Sequence, residues 1–140
     1  MDLSKAFDSV PHALLLAKLK AYGLGETSIE LLKSYLSARI QRVKIGDTSE
    51  WELVRRGVPQ GSFLGPIFFN LHINDLFYHI KQANLNAYAD DEQLYSSDKD
   101  LETLNTRLEQ EIKISNSWYE RNGMIVNPHK HQGNGAWREQ

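Results

Sequence analysis

The sequence has no cysteine. That excludes a disulfide scaffold, a cysteine nucleophile and a thiolate zinc site. It has no long hydrophobic run either. The longest apolar stretch, Phe63 to Ile73, is interrupted by Gly65, Pro66, Asn70 and His72, and is too short and too polar to span a bilayer. The opening residues MDLSKAF lack the charged-then-apolar pattern of a secretory signal. Nor does one sign of charge dominate. Lys and Arg total 16 against 18 Asp and Glu, a net charge of −2. A strongly basic, sequence-blind coat for nucleic acid is therefore excluded as the whole function. Internal repeats and low-complexity tracts are missing too. What remains is 140 residues, 41% hydrophobic and 24% charged, the composition of one globular domain. The expected setting is intracellular, without a membrane.

Along the chain, Met1 to Phe7 reads as the end of a strand. Pro11 suits the first turn of a helix. Leu15, Leu19 and Tyr22 then recur at helical spacing until Gly23. A second helix is predicted over 27–37, with Ile29, Leu32 and Leu36 as its buried stripe. Val43 and Ile45 alternate with Arg42 and Lys44, Gly46-Asp47 is a turn pair, and Trp51 to Val54 can return antiparallel. The stretch Gly57-Val58-Pro59-Gln60-Gly61-Ser62 is too rich in Gly and Pro for regular structure. A helix over 64–81, apolar nearly all round, is expected to be buried. Leu85 to Ala89 reads as a strand entering Asp90-Asp91, with 93–96 returning in a hairpin. Ser97 or Asp98 is the expected cap of a helix whose buried face is Leu101, Leu104, Leu108, Ile112 and Tyr119, ending at Gly123. Met124 to Val126 reads as a last strand. The simplest layering is α+β: one antiparallel sheet with helices on one face.

The acids are the chemical signal. Asp90 and Asp91 are adjacent at a hairpin turn entered by an apolar strand. Like charges that close raise one another's pKa or need a cation between them. Oxygen donors favour Mg²⁺ or Mn²⁺ over zinc. A solvated turn explains the same pair without a metal. Asp2 and Asp8 read equally as solvated acids or as caps, and Asp8 suits the cap of the helix after Pro11 better. The glycines of the 57–61 loop let the backbone approach a ligand, or serve only to connect strand to helix.

Three segments taken together decide between these readings. DLSKAFDSV at 2–10, GVPQGSFLGPIFFNLHINDL at 57–76 and YADDEQLY at 88–95 closely resemble, in order and separation, three successive motifs of reverse transcriptases of non-LTR (LINE-type) retrotransposons. NGMIVNPHK at 122–130 is similar to the motif that follows. The resemblance implies a polymerase palm over residues 2–130; residues 131–140, HQGNGAWREQ, show no periodicity and little core potential and are expected to be a frayed tail. It implies RNA-directed DNA polymerisation, with an RNA template, a DNA primer and dNTPs as partners. Asp2, Asp90 and Asp91 match the catalytic aspartates that hold two Mg²⁺ ions, or Mn²⁺, and by the same resemblance the main-chain carbonyl of Leu3 would be an extra oxygen ligand. Phe7 matches the bulky residue under the nucleotide sugar. Gln60 and Gly61 match the segment that contacts nucleotide and template. Lys130 matches a lysine proposed to protonate pyrophosphate. Tyr88 either supports the primer end or packs. The basic run Arg39, Arg42, Lys44, Arg55 and Arg56 either touches phosphates or is a solvated face.

Departures from the pattern are Glu92, where a small hydroxyl residue is usual, His72 in place of an aromatic or aliphatic residue, and His131-Gln132-Gly133 after Lys130. Against the resemblance, a fingers region before Asp2 and a thumb after the last strand are expected to be missing. The expectation is a truncated fragment, inactive by itself. Two other readings are a non-catalytic nucleic-acid-binding or protein-interaction remnant, and a palm from an intron-encoded or retron enzyme. His12, His72 and His79 show no ligand spacing.

Overall fold

A computed structural model describes residues 6–59 and 61–126. The expected strand end at Met1 to Phe7 gives way, in its described part, to a single helical turn, α1 (Ala6–Ser9). Ser9 Oγ donates to the Ala6 carbonyl at 2.8 Å, a local bond that competes with an extended backbone. Pro11, at φ −73°, then leads into α2 (His12–Ala21). Leu15 and Leu19, one turn apart, are fully buried on its inner face. Gly23 stops α2 at φ +97°. The Gly23 and Leu24 amides bond back to Lys20 and Leu19, which closes a Schellman cap. Helix α3 (Glu26–Leu36) returns against α2 and buries Ile29 and Leu36, as the periodicity predicts.

The middle of the chain is a bent ribbon. Strands β1 (Ile40–Gln41) and β4 (Glu52–Leu53) pair antiparallel, and β2 (Lys44–Ile45) and β3 (Asp47–Thr48) form its tip. Both pairs are exposed on both faces, and Arg42 lies over the Trp51 ring at 4.5 Å. Of the basic run, Arg42 and Lys44 therefore lie on a solvent-facing arm, whereas Arg39 and Arg56 line a cleft at its base.

The apolar stretch after Ser62 is two helices, α4 (Leu64–Ile73) and α5 (Leu76–His79), where one is expected. The break has a cause more than fifty residues away. Lys18 Nζ donates to the His72 carbonyl at 2.6 Å and to Asp75 Oδ1 at 2.5 Å, and sits 4.6 Å from the Trp118 ring centroid. It thereby occupies the carbonyl that Leu76 would reach in an unbroken helix. Burial is one-sided rather than complete: Phe68, Phe69, Ile73 and Leu76 are inside, while Ile67, Phe77 and Tyr78 face solvent.

Strands β5 (Asn84–Tyr88) and β6 (Asp91–Tyr95) form a hairpin, and α6 (Leu101–Arg121) follows. The cap of α6 is Asp100, not Ser97 or Asp98; its carboxylate accepts from Thr103 N at 2.8 Å. The buried face is also turned from the expected one. Glu111, Ser115, Trp118 and Tyr119 are inside, Leu101 is exposed, and Leu104, Leu108 and Ile112 are half-buried. Gly123, at φ +71°, ends α6 in a second Schellman cap, with Gly123 N on Glu120 O and Met124 N on Tyr119 O. Of the expected last strand, only Val126 carries a bridge.

The α+β class holds. Among the described residues, however, there is no single sheet: three two-stranded antiparallel pairs stand apart. The core lies between α2, α4 and α6, around Leu15, Leu19, Phe69, Trp118 and Tyr119. No helix of the described residues is long and apolar enough to cross a membrane.

Candidate functional site

Two of the three motif segments are stitched together through the main chain. Gly57 N donates to Val10 O at 2.8 Å and Val58 N to Phe7 O at 2.9 Å. His12 Nε2 donates to the Gly57 carbonyl at 2.7 Å. Only glycine suits position 57. Its φ is +88°, and an added Cβ would lie 2.9 Å from Asp8 Cα and 3.0 Å from Asp8 O. The loop then folds on itself: Ser62 Oγ donates to Pro59 O at 2.7 Å and accepts from Gly65 N at 3.0 Å.

This stitching makes a cleft of about 580 Å³ walled by Phe7, Pro59, Gly61, Ser62, Phe63 and Pro66. The Phe7 ring is held by stacking on Phe69, with centroids 4.6 Å apart and planes 24° apart. Gly61 is exposed at φ +76° with open space where a Cβ would go. Phe63 stands 97% exposed at the rim. A second cleft, about 520 Å³, shares Pro59 and is lined by Asp8, Arg39, Gln41 and Arg56. The N-cap position of α2 is Pro11 rather than Asp8, and Asp8 lines the second cleft.

The acids sit at the tip of the β5–β6 hairpin. Tyr88 pairs with Asp91, which leaves Ala89 and Asp90 as a two-residue loop, with Ala89 in the left-handed region at φ 52°. Asp90 is half-buried and Asp91 exposed. Neither joins an ion pair among the described residues. Two uncompensated hard-oxygen donors side by side suit a hard divalent cation as part of a larger donor set. Among the described residues no third His, Asp or Glu completes a cluster.

Strand alternation sorts the rest of the hairpin. Asn84, Asn86, Tyr88, Asp91, Gln93 and Tyr95 face out. Leu85, Ala87, Glu92 and Leu94 face in. Tyr88 is 86% exposed, so its packing alternative falls away. Glu92 is 0% exposed and lies on the opposite face from Asp91. Burial pushes its carboxyl up to about 7, and the charge of Asp91 pushes the same way.

Asp2, Leu3, Gln60 and Lys130 lie outside the described residues. Of the expected site residues, the structure brings Phe7 and Gly61 onto one cleft and keeps Asp90 beside Asp91 at the hairpin tip. The cleft lining includes neither acid. Of the residues that hold the two motif segments together, Gly57 opens the second quoted motif, whereas His12 carries no marking spacing in the sequence. His72 is a core residue, 0% exposed. Neither ring nitrogen makes a well-formed hydrogen bond, although the Asn122 main chain is near. Burial and the neighbouring Lys18 charge lower its pKa from 6.5 to about 4.

Against known proteins, residues 1–134 match the family described as reverse transcriptase (RNA-dependent DNA polymerase). The chain is 27% identical, over 93% of its length, to the retrovirus-related Pol polyprotein from the type-1 retrotransposable element R2 of Popillia japonica, and covers 23% of that protein. It is 33% identical, again over 93% of its length, to the probable RNA-directed DNA polymerase from transposon BS of Drosophila melanogaster, and covers 15% of it. The RNA-directed DNA polymerase from mobile element jockey, also of Drosophila melanogaster, is 28% identical, with the same 93% and 15% shares. The chain thus spans less than a quarter of the length of these relatives.

Proposed function

The chain belongs to the reverse transcriptase (RNA-dependent DNA polymerase) family, in its non-LTR retrotransposon type, and from that premise we propose that residues 2–130 are the palm portion of an RNA-directed DNA polymerase. The reaction adds a deoxynucleotide to a primer 3′ end on an RNA template. The primer 3′-oxygen bonds to the α-phosphorus of the dNTP, and the bond to pyrophosphate breaks.

Asp90 and Asp91, together with Asp2 and the Leu3 carbonyl, hold divalent ions. When bound, a pair of Mg²⁺ or Mn²⁺ ions supplies a more acidic primer hydroxyl and neutralises charge on the leaving pyrophosphate. Phe7 stands under the sugar, where its ring bars a 2′-hydroxyl. The stack on Phe69 holds that ring in place. Gly61 keeps the backbone clear of nucleotide and template, and Gln60 offers them a donor and an acceptor. Lys130 donates a proton to pyrophosphate.

The main-chain stitch that puts Phe7 and Gly61 on one cleft is the observation that carries this reading. The isolated chain is not expected to polymerise, since preorganised ligands supply most of the rate and no ion pair among the described residues holds Asp90 or Asp91. The test is primer extension by the purified full chain on a primed RNA template with dNTPs and Mg²⁺ or Mn²⁺. No extension is expected. Extension that Asp90→Asn abolishes would overturn the inactivity and support the catalytic assignment. Extension indifferent to Asp90→Asn would sink the assignment of the acids.

A second reading, a non-catalytic nucleic-acid-binding remnant, is favoured by the outer face of the hairpin. Tyr88 and Tyr95 are both exposed there beside Asn84, Asn86 and Gln93, a surface suited to stacking and polar contact with a single strand. Salt-sensitive binding that survives Asp90→Asn and Asp91→Asn, and is lost in Tyr88→Ala with Tyr95→Ala, identifies this activity.

A further inference from the structure

Glu111 lies midway along α6, 1% exposed, and makes no ion pair among the described residues. Its Oε1 accepts two main-chain bonds from the short link between α5 and β5, from Lys81 N at 3.0 Å and from Gln82 N at 2.5 Å. A carboxylate that accepts two neighbouring amides fixes the position and direction of the chain that carries them. Arg107 is four residues earlier, on the same face of α6. Its Nη2 donates to Asp98 Oδ2 at 2.7 Å and its Nη1 to Ser96 Oγ at 3.5 Å, just beyond the end of β6. Ser96 Oγ in turn donates to the Gln82 carbonyl at 3.4 Å. One turn of α6 therefore grips both legs of the hairpin at its base. Glu111 takes the incoming leg and Arg107 the outgoing one.

The tip of this hairpin carries Asp90 and Asp91, and no ion pair or hydrogen bond among the described residues holds their side chains in place. A two-stranded ribbon is marginal in isolation; this one is steadied along its inner face, where Leu85, Ala87 and Leu94 pack against the core, and at its base by α6, so the grip on the base contributes to the direction of its tip. We propose that Glu111 and Arg107 are positioning residues, which clamp the base of the β5–β6 hairpin to α6 and thereby aim Asp90 and Asp91 at the divalent ions. The clamp rests, for its consequence, on the metal-binding reading of those two acids. Residues that orient metal ligands from behind typically change ion affinity by tenfold or more when lost, although they touch no ion. Glu111 needs only an acceptor oxygen for this task. Gln supplies one at the same reach and Leu supplies none.

The test compares the full chain, isotopically labelled, as wild type, Glu111→Gln, Glu111→Leu and Arg107→Met. Amide hydrogen exchange is read in the ion-free chain, and Mn²⁺ binding is read as paramagnetic broadening at residues 88–92. In Glu111→Leu, exchange in β5 and β6 is expected to accelerate at least about tenfold, while α2 keeps its protection. Mn²⁺ affinity is expected to fall about tenfold in Glu111→Leu and to stay within about twofold of wild type in Glu111→Gln. If Glu111→Leu does not fold, Arg107→Met, at the less buried end of the clamp, carries the same two measurements. Unchanged exchange and unchanged affinity overturn the clamp. Faster exchange with unchanged affinity also overturns it, because the acids are then aimed without it. If wild type shows no broadening at 88–92 that Asp90→Asn removes, the metal reading has failed, and exchange alone still decides whether α6 fixes the hairpin.

Discussion

Replacing Gly57 with alanine perturbs the joint on which the cleft depends. Two costs combine. The first is conformational. At φ +88° a Cβ residue pays about 1–2 kcal/mol for a left-handed backbone. The second is spatial. The new Cβ would lie 2.9 Å from Asp8 Cα and 3.0 Å from Asp8 O, both main-chain atoms that no rotamer change can move. Relief requires the 57–58 segment and α1 to separate. That stretches the bonds Gly57 N to Val10 O and Val58 N to Phe7 O, now 2.8 and 2.9 Å, each contributing about 1 kcal/mol. The His12 bond to the Gly57 carbonyl, 2.7 Å, is put at risk as well. The expected loss is about 3–4 kcal/mol, a large part of the stability of a domain this size. Gly61→Ala is the internal control. Gly61 has the same left-handed backbone, φ +76°, with nothing within 4 Å of the added Cβ. It should lose only the conformational part, about 1 kcal/mol. Urea unfolding followed by Trp fluorescence measures both, read as a shift in midpoint at constant m value. Equal losses for the two variants would refute the steric part of the reasoning. A loss below about 1 kcal/mol for Gly57→Ala would refute both parts.

Other outcomes follow from single features. His72 has a folded pKa of about 4 against an ordinary 6.5, so the unfolded chain binds the extra proton between those values. Stability is then full above pH 6.5 and falls by about 3 kcal/mol as the pH drops to 4. His72→Leu should flatten that part of the pH–stability curve and stabilise the chain at neutral pH, since it also removes a buried imidazole without a well-formed hydrogen bond; an unchanged acid limb would count against this. Asp100→Ala removes the bond from Thr103 N, 2.8 Å, and should cost about 1 kcal/mol, with fraying confined to the first turn of α6 by hydrogen exchange. In a longer polymerase that contains this segment, Phe7→Ala should raise ribonucleotide incorporation relative to deoxynucleotide by about tenfold or more, as steric exclusion of one hydroxyl is lost; an unchanged ratio removes Phe7 from the sugar-selecting role.

The elements that the sequence predicts well are those whose signals are local. Pro11, Leu15, Leu19 and Gly23 define α2 from start to cap, and α3 follows the same logic. The failures are long-range. The break between α4 and α5 is made by Lys18, from another helix. The buried face of α6 escapes an apolar count because two of its members, Glu111 and Ser115, are polar. The strand pairs are local hairpins, legible from their turns, but whether hairpins join into one sheet is decided by contacts between distant segments: a single sheet is predicted, whereas among the described residues the pairs stand apart. The candidate site divides in the same way. The motif residues Phe7, Gly61, Asp90 and Asp91 are legible because their neighbours in sequence carry the pattern. Of the residues that hold them, His12, Gly57 and Glu111 act on main-chain atoms and Arg107 on the side chains of Ser96 and Asp98, and residue type alone gives little sign of these pairings.

The joint of Pro11, Arg56 and Gly123 bears on the order of folding. Pro11 bridges to Arg56, Arg56 Nη1 donates to the Gly123 carbonyl at 3.4 Å, and a Cβ on Gly123 would lie 2.7 Å from Pro11 Cγ. These three points are spread over more than a hundred residues. During synthesis, Phe7 and Val10 leave the ribosome without the 57–58 segment that holds them, and Pro11 waits longer still for Gly123. Local helices such as α2 and α3 can form at once, whereas the cleft must await loop closures that make folding slow. A nascent chain paused before residue 57 thus exposes Val10 and Leu15 to whatever else is nearby, which makes this stretch the natural place for a chaperone to act.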